Sequence, residues 1–227
     1  MIDFKREVAI NCINLIKVNQ TIGLGAGSTV AKLIDQFQLE TELSKSLTFI
    51  SSSFKTKLYL LEKGLKLGNY LTNPNIDFYF DGCDCFDAKL NALKSGGGIH
   101  THEKIMAVSA KEFILIGDES KFTATFNKNV PLVLEILPEA MPFIKEKLKI
   151  LYPDAEFVLR LSNQKDGALI SDNGNFLADL FFPIFPNLRE LNTDIKMLPG
   201  IVEHSLFYQL AKRAIIASGN EVKIMSI

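Results

Sequence analysis

IDFYFDGCDCFDAKLNALKSGGGIHTHEK, Ile76 to Lys104, is the stretch on which the fold turns. Its first residues, Ile76 to Phe80, form an apolar run of the length of a buried strand. Asp81 and Asp84 therefore emerge at the carboxyl end of that strand, the edge of an open α/β sheet where ligands bind. Lys94 leads into Ser95, Gly96, Gly97 and Gly98, a backbone that a ligand can approach closely because it carries almost no side chains. Glu103 stands at the start of a helical pattern continued by Ile105, Met106 and Val108. Acids, a lysine and a glycine run thus share one short segment beside a strand end.

Toward the N-terminus, Thr21 to Gly25 (TIGLG) reads as a strand, followed by Gly27-Ser28-Thr29 and by Val30, Leu33, Ile34 and Phe37 at helical spacing. Leu47 to Ile50 is a second strand, with a helical stretch through Leu58, Leu60 and Leu61. Toward the C-terminus, a helix from Thr101 to about Lys111 precedes the strand Phe113 to Gly117. This alternation implies a parallel sheet with helices on both faces. After Lys121 the pattern changes. Val130 to Leu137 and Ala155 to Leu161 read as strands, with Met141 to Leu151 amphipathic between them. Another strand is expected around Gly174, where Asp172-Asn173-Gly174-Asn175 also suits a turn. A helix over Asn187 to Ile195 completes a small α+β unit. Val222 to Ile227 is a last strand that returns to the first sheet. The expected division is 1–128 with 200–227 as the main domain and 129–199 as the small one.

The 227 residues suffice for a main domain and a smaller appendage, and 47% hydrophobic with 22% charged residues places the chain among globular proteins rather than disordered ones. A formal net charge of −1 argues against a nucleic-acid footprint and favours a small-molecule partner. Cys12, Cys83 and Cys85 make an odd count, which argues against a disulfide framework and fits a reducing cytoplasm. The first residues, MIDFKREVAINCINLI, break their apolar positions with charges and asparagines, so they read as an amphipathic helix rather than a signal or membrane segment.

The turn Gly23-Leu24-Gly25-Ala26-Gly27-Ser28-Thr29 offers backbone N–H groups and two hydroxyls at a helix start, a setting that attracts phosphate. A tight turn capped by Ser28 is the competing reading. No lysine follows the last glycine, so this is not a P-loop, and Ser28 occupies the third glycine position of the dinucleotide fingerprint. The second strand ends in Ser51, Ser52 and Ser53 where that fingerprint needs an acid. Asp81 and Asp84 could bind sugar hydroxyls or act on a ring oxygen, and Asp87 reads as a turn residue. Cys83 and Cys85 with His100 and His102 raise the thought of zinc, but a C-x-C pair lacks the usual spacing, so no metal is expected. Cys12 and His204 read as packing residues. Glu103 is either an acid that complements the helix dipole or a general base. Lys94 suits a developing oxyanion, and Lys121, after Asp118-Glu119-Ser120, brings a second cation to the sheet edge.

Taken as a set, GLGAGST, DGCD, the K-SGGG run, THEK, DESK, the NGN turn and PGIVEHSLF resemble the ribose-5-phosphate isomerase A family, in that family's order and across most of the chain. The resemblance implies an α/β fold with a Rossmann-like parallel-sheet main domain and a smaller inserted α+β, ferredoxin-like domain. It also implies a cytoplasmic, cofactor-free aldose–ketose isomerase of the pentose phosphate pathway, homodimeric or homotetrameric. On it, Gly27, Ser28 and Thr29 fall in the phosphate and substrate loop, with Ala26 where the family often has Thr. Asp81, Gly82, Cys83 and Asp84 match Asp-Gly-Ala-Asp, and Lys94, Ser95, Gly96 and Gly97 match Lys-Gly-Gly-Gly. Glu103 matches the catalytic base and Lys121 a substrate-binding lysine. Cys83 stands for the usual Ala, Cys85 for Glu and Ser95 for Gly. Rival readings are an amino-sugar phosphate deaminase, a phosphogluconolactonase, or a sugar-phosphate sensor. A deaminase needs a histidine on the ring oxygen, for which only His100 and His102 are placed. A sensor of the regulator type needs a helix-turn-helix, for which the stretch before Thr21 is expected to be too short.

Overall fold

The computed structural model describes residues 4–126, 128–219 and 221–227. The first half runs α1 (Phe4–Ile13), β1 (Thr21–Leu24), α2 (Ser28–Leu39), α3 (Thr41–Ser46), β2 (Thr48–Ser51), α4 (Phe54–Glu62), β3 (Ile76–Asp81), β4 (Cys85–Phe86), β5 (Ala92–Leu93), α5 (His100–Ser109) and β6 (Ala110–Asp118). There follow β7 (Leu132–Ile136), α6 (Met141–Leu151), β8 (Glu156–Leu159), β9 (Phe176–Phe181), α7 (Leu188–Lys196), β10 (Ile201–His204), β11 (Leu206–Phe207), β12 (Arg213–Ser218) and β13 (Glu221–Ser226).

Two compact units result, one of Met1–Cys83, His102–Phe122 and Gln209–Ile227, the other of Asp84–Thr101 and Thr123–Tyr208. The sequence boundaries 129–199 enclose β7 to α7 and leave out β10 and the β4–β5 hairpin, which the contacts gather into the second unit.

The first unit is built on a six-stranded sheet in the order β13-β12-β6-β3-β1-β2. All neighbours are parallel except β13, which returns antiparallel along β12. Burial explains why these runs are strands: Ile22, Leu24, Phe80, Ile114 and Ile215 are all shut from solvent in one core. Helix α2 closes over it with Val30, Leu33, Ile34 and Phe37, a stripe at helical spacing. Burying each such side chain contributes about 1.5–3 kcal/mol before entropy is counted. The Phe37 ring meets Phe49 of β2 edge-on at 4.8 Å.

The second unit holds a four-stranded antiparallel sheet in the order β10-β7-β9-β8. With α6 after β7 and α7 after β9, it is a βαββαβ arrangement of ferredoxin-like order. Leu132, Leu134 and Ile136 of β7 pack with Ile144 and Leu148 of α6 and Leu191 and Ile195 of α7. A three-stranded sheet, β11-β5-β4, adds the hairpin formed within the segment that decides the fold. Its tip is held by Asp87, whose Oδ1 accepts the N–H groups of Lys89 at 2.8 Å and Asn91 at 2.9 Å. Around Gly174 the chain forms a turn rather than a strand, because Gly174 has φ +81° and Ser171 N–H donates to the Asn175 carbonyl; the strand begins at Phe176. Among the described residues no helix is long and apolar enough to cross a membrane.

Candidate active site

Because β1, β2, β3 and β6 are parallel, their carboxyl ends lie on one edge of the first unit. The chain passes from β1 to β2 on one side and resumes with β3 on the other, so the switch point lies between β1 and β3. There Asp81, the last residue of β3, is fully buried. Its Oδ1 accepts the N–H groups of Ala26 at 3.1 Å and Gly82 at 2.8 Å, and its Oδ2 accepts the Tyr79 hydroxyl at 2.6 Å. A Cβ on Gly25 would fall 1.9 Å from Asp81 Cγ, so only glycine leaves room for this carboxylate. Gly27, at φ +106°, then turns the chain into α2, whose start no side chain caps. The first N–H groups of a helix have no partner within it and carry the positive end of its dipole. Lys5 adds a cation, its Nζ donating to Ser28 Oγ at 2.8 Å. Ala26, Gly27, Ser28, Ser53 and Thr56 help to line a cavity of about 440 Å³, within the range of small-molecule sites.

Tyr79 is buried completely, its hydroxyl between Asp81 Oδ2 and Ser52 Oγ, the latter at 3.4 Å. Burial first, and then the charges of Asp81 and Glu103, push its ionisation well above the ordinary tyrosine value, so it stays a neutral donor. Glu103, in the first turn of α5, is itself buried. One unit thus holds two carboxylates whose charges both act on Tyr79. Lys121 ends a single 3-10 turn, Glu119–Lys121, that follows β6, where Asp118 accepts Ser120 N–H at 3.1 Å.

Asp84, Lys94, Ser95, Gly96 and Gly97 belong to the second unit. Asp84 Oδ2 accepts the N–H groups of Ser95 at 2.5 Å and Gly96 at 2.9 Å, which folds the glycine run back onto the hairpin. Lys94 is buried, with its N–H on the Ser205 carbonyl at 3.0 Å and its ammonium 5.7 Å from the Phe207 ring centroid. Ser95 uses its hydroxyl on the Pro131 carbonyl at 2.5 Å, and its own carbonyl accepts from Arg160, which pairs with Asp179 at 2.7 Å. Gly96 and Gly97 remain exposed.

Of the fourteen residues that the resemblance assigns to the site, nine, Ala26, Gly27, Ser28, Thr29, Asp81, Gly82, Cys83, Glu103 and Lys121, lie in the first unit and the other five in the second. Lys5, Tyr79 and Arg160 were not among them. Tyr79 carried a signal, since two residues before Asp81 on a strand it shares that residue's face. Lys5 and Arg160 carried none, their partners being remote in sequence. Cys12 packs in the core, where burial drives its thiol far up, and His204 donates Nε2–H to the Asn192 carbonyl at 3.1 Å. Cys85 packs in the second unit's core, and among the described residues no group of three or more His, Cys, Asp or Glu side chains could hold a metal ion.

The family model described as ribose 5-phosphate isomerase A (phosphoriboisomerase A) matches residues 48–221. The ribose-5-phosphate isomerase A of Methanosarcina acetivorans is 33% identical over 223 residues, which cover 98% of this chain and 94% of that protein. A D-ribose-5-phosphate isomerase solved in complex with phospho-erythronic acid is 30% identical, with a TM-score of 0.92 over 99% of this chain and 98% of its own. The ribose 5-phosphate isomerase A structure from Methanocaldococcus jannaschii is 32% identical, with a TM-score of 0.90 over 99% of each chain. Likeness over nearly the whole length, in sequence and in fold, places the chain in the ribose 5-phosphate isomerase A family, as an aldose–ketose isomerase.

Proposed function

We propose that Glu103 is the base that interconverts D-ribose 5-phosphate and D-ribulose 5-phosphate. The observation that carries this reading is a buried carboxylate in the first turn of α5, close enough to the buried Tyr79 and Asp81 pair for its charge to act on the tyrosine. Glu103 takes the C2 proton of the open-chain aldose, and the electron pair of that bond forms C1=C2 while the carbonyl pair moves onto O1. The same carboxyl returns the proton to C1, the O2 hydroxyl proton passes to O1, and C2 becomes the carbonyl. Charge on the enediolate oxygens calls for fixed donors, a task we assign to Lys94 and to the N–H group of Gly97, that of Gly96 being taken by Asp84.

Phosphate belongs, on this reading, to Ala26, Gly27, Ser28 and Thr29 at the start of α2, with Lys121 as a further cation. Asp81 and Asp84 help to open the furanose ring. The three donors on Asp81 fix its carboxylate at the carboxyl end of β3. Gly82, Cys83 and Ser95 complete the backbone around these acids. A homodimer or homotetramer in the cytoplasm, without a cofactor, follows from the family reading, and the three free cysteines fit a reducing compartment. The test is conversion of ribose 5-phosphate to ribulose 5-phosphate by the purified chain after exhaustive chelation. Sustained turnover is expected, whereas activity lost on chelation and restored by a metal would overturn the cofactor-free chemistry.

A further inference from the structure

Glu135 is a glutamate in the middle of β7, only 1% exposed. Alternation along β7 sends Leu132, Leu134 and Ile136 to the helix-covered core and turns Glu135 to the opposite face. A charge so placed is costly unless hydrogen bonds satisfy it. Oε1 accepts from Ser171 Oγ at 2.7 Å, Asn175 Nδ2 at 2.8 Å and Asn173 Nδ2 at 3.0 Å, while Thr101 Oγ1 donates to Oε2 in a short bond. Burial alone would raise this carboxyl, yet the bonds from Thr101, Asn175, Ser171 and Asn173 hold it below the ordinary value.

Three of these four donors come from the turn between Ser171 and Asn175. The fourth belongs to another segment, the first turn of α5, two residues before Glu103. Next to it His100, fully buried, donates Nε2–H to the Glu203 carbonyl at 3.3 Å, so consecutive residues tie down the start of the helix. At about 100° per residue Thr101 and Glu103 point to opposite sides of α5. The tie therefore acts on the helix backbone and leaves the Glu103 side chain to the substrate. An apolar residue of similar size could fill the Glu135 position without a buried charge. It could not hold donors from two separate segments in fixed places.

We infer that Glu135, acting through Thr101, is a positioning residue that fixes the first turn of α5 and with it the carboxylate of Glu103. This rests on the reading of Glu103 as the base. A misplacement of about 1 Å at a reacting group can cost on the order of 100-fold in rate. Thr101→Val keeps the shape of the side chain and removes its hydroxyl. It should lower kcat about 10-fold or more with little change in KM, and Thr101→Ser should restore kcat. Asn173→Ala removes a donor shared between Oε1 at 3.0 Å and Oε2 at 3.3 Å but leaves the Thr101 bond and α5 untouched, and should keep kcat even where it lowers Tm.

In a Glu103→Gln background, Thr101→Val should have no further effect on the residual rate. A Thr101→Val enzyme with parental kcat overturns the inference, as does a loss that Thr101→Ser does not restore or that persists undiminished beside Glu103→Gln. Failure of both Thr101→Val and Thr101→Ala to fold also overturns it, since the bond would then serve stability alone. Failure of the base assignment shows separately, in a Glu103→Gln enzyme that still turns over.

Discussion

Gly25→Ala is the substitution whose consequence can be worked most directly from the structure. Its Cβ would stand 1.9 Å from Asp81 Cγ and 2.0 and 2.2 Å from the two carboxylate oxygens. Ordinary van der Waals contact begins near 3.4 Å, so the carboxylate must retreat by about 1.5 Å. Asp81 is fully buried, and its bonds to Ala26 N–H, Gly82 N–H and the Tyr79 hydroxyl leave no direction of retreat that keeps all three. Overpacking costs about 1–3 kcal/mol, and a hydrogen bond to a charged group is worth about 1.5–3 kcal/mol. Losing one such bond together with the overpacking amounts to about 2.5–6 kcal/mol, a fall in Tm of roughly 5–24 °C for a chain of this size. The Ala26 bond is also one of those that tie the turn of residues 25–28, the proposed phosphate site, to the sheet, so kcat/KM for ribose 5-phosphate should drop about 100-fold. Thermal unfolding by circular dichroism and steady-state kinetics on one preparation read both effects. A Gly25→Ala protein that melts with the parent and keeps its kcat/KM would rule out this clash.

Replacing Ser28 and Thr29 together with Ala should raise KM for ribose 5-phosphate while the poor rate with unphosphorylated ribose stays nearly unchanged, because only the phosphorylated sugar uses that turn. Equal damage to both substrates would mean that the turn supports the fold instead. Lys94→Ala should lower kcat by about 100-fold, an oxyanion contribution on the order of 3 kcal/mol; an effect on KM alone would move Lys94 from catalysis to binding. Glu135 titrates below the ordinary glutamate value in the folded chain, so the unfolded chain binds its proton first as pH falls. The stability it contributes is therefore complete above about pH 4.3 and lost as the pH falls from there through its folded value. The Tm margin of the parent over Glu135→Gln should hold near neutrality and shrink on acidification. A margin that widens in acid would contradict the lowered ionisation.

Much of the fold was legible because its strands announce themselves locally. Ile76 to Phe80, Thr21 to Gly25 and Phe113 to Gly117 are apolar runs separated by helical stripes, and the structure makes of them β3, β1 and β6. The helix expected from Thr101 and the strand returning at Val222 are also present, with bounds shifted by a residue or two. What escaped reading has no local period. Strands β4, β5 and β11 are two residues long each and exist only because distant segments pair, Leu206 with Leu93 and Leu93 with Cys85. Strand β12 is an interior run, Arg213 to Ser218, with no alternation to mark it.

At the site, motif residues were legible by type and spacing, but the groups that hold them were not. Asp84 binding the N–H groups of Ser95 and Gly96 is a contact across a hairpin, and Arg160 reaches the Ser95 carbonyl from 65 residues away. Ser95, a departure from the family's glycine, finds a partner in the Pro131 carbonyl that no neighbour in the sequence foretells.

On the proposed mechanism one buried carboxylate, Glu103, moves the proton between C2 and C1. Glu103→Gln keeps the size of the side chain and removes its basicity, so the ribose 5-phosphate isomerisation rate of the purified variant, measured at saturating substrate, tests that claim most directly. A parental Tm and a rate lower by about 10²–10⁴-fold are expected. A folded Glu103→Gln enzyme that turns over within a few fold of the parent would contradict it.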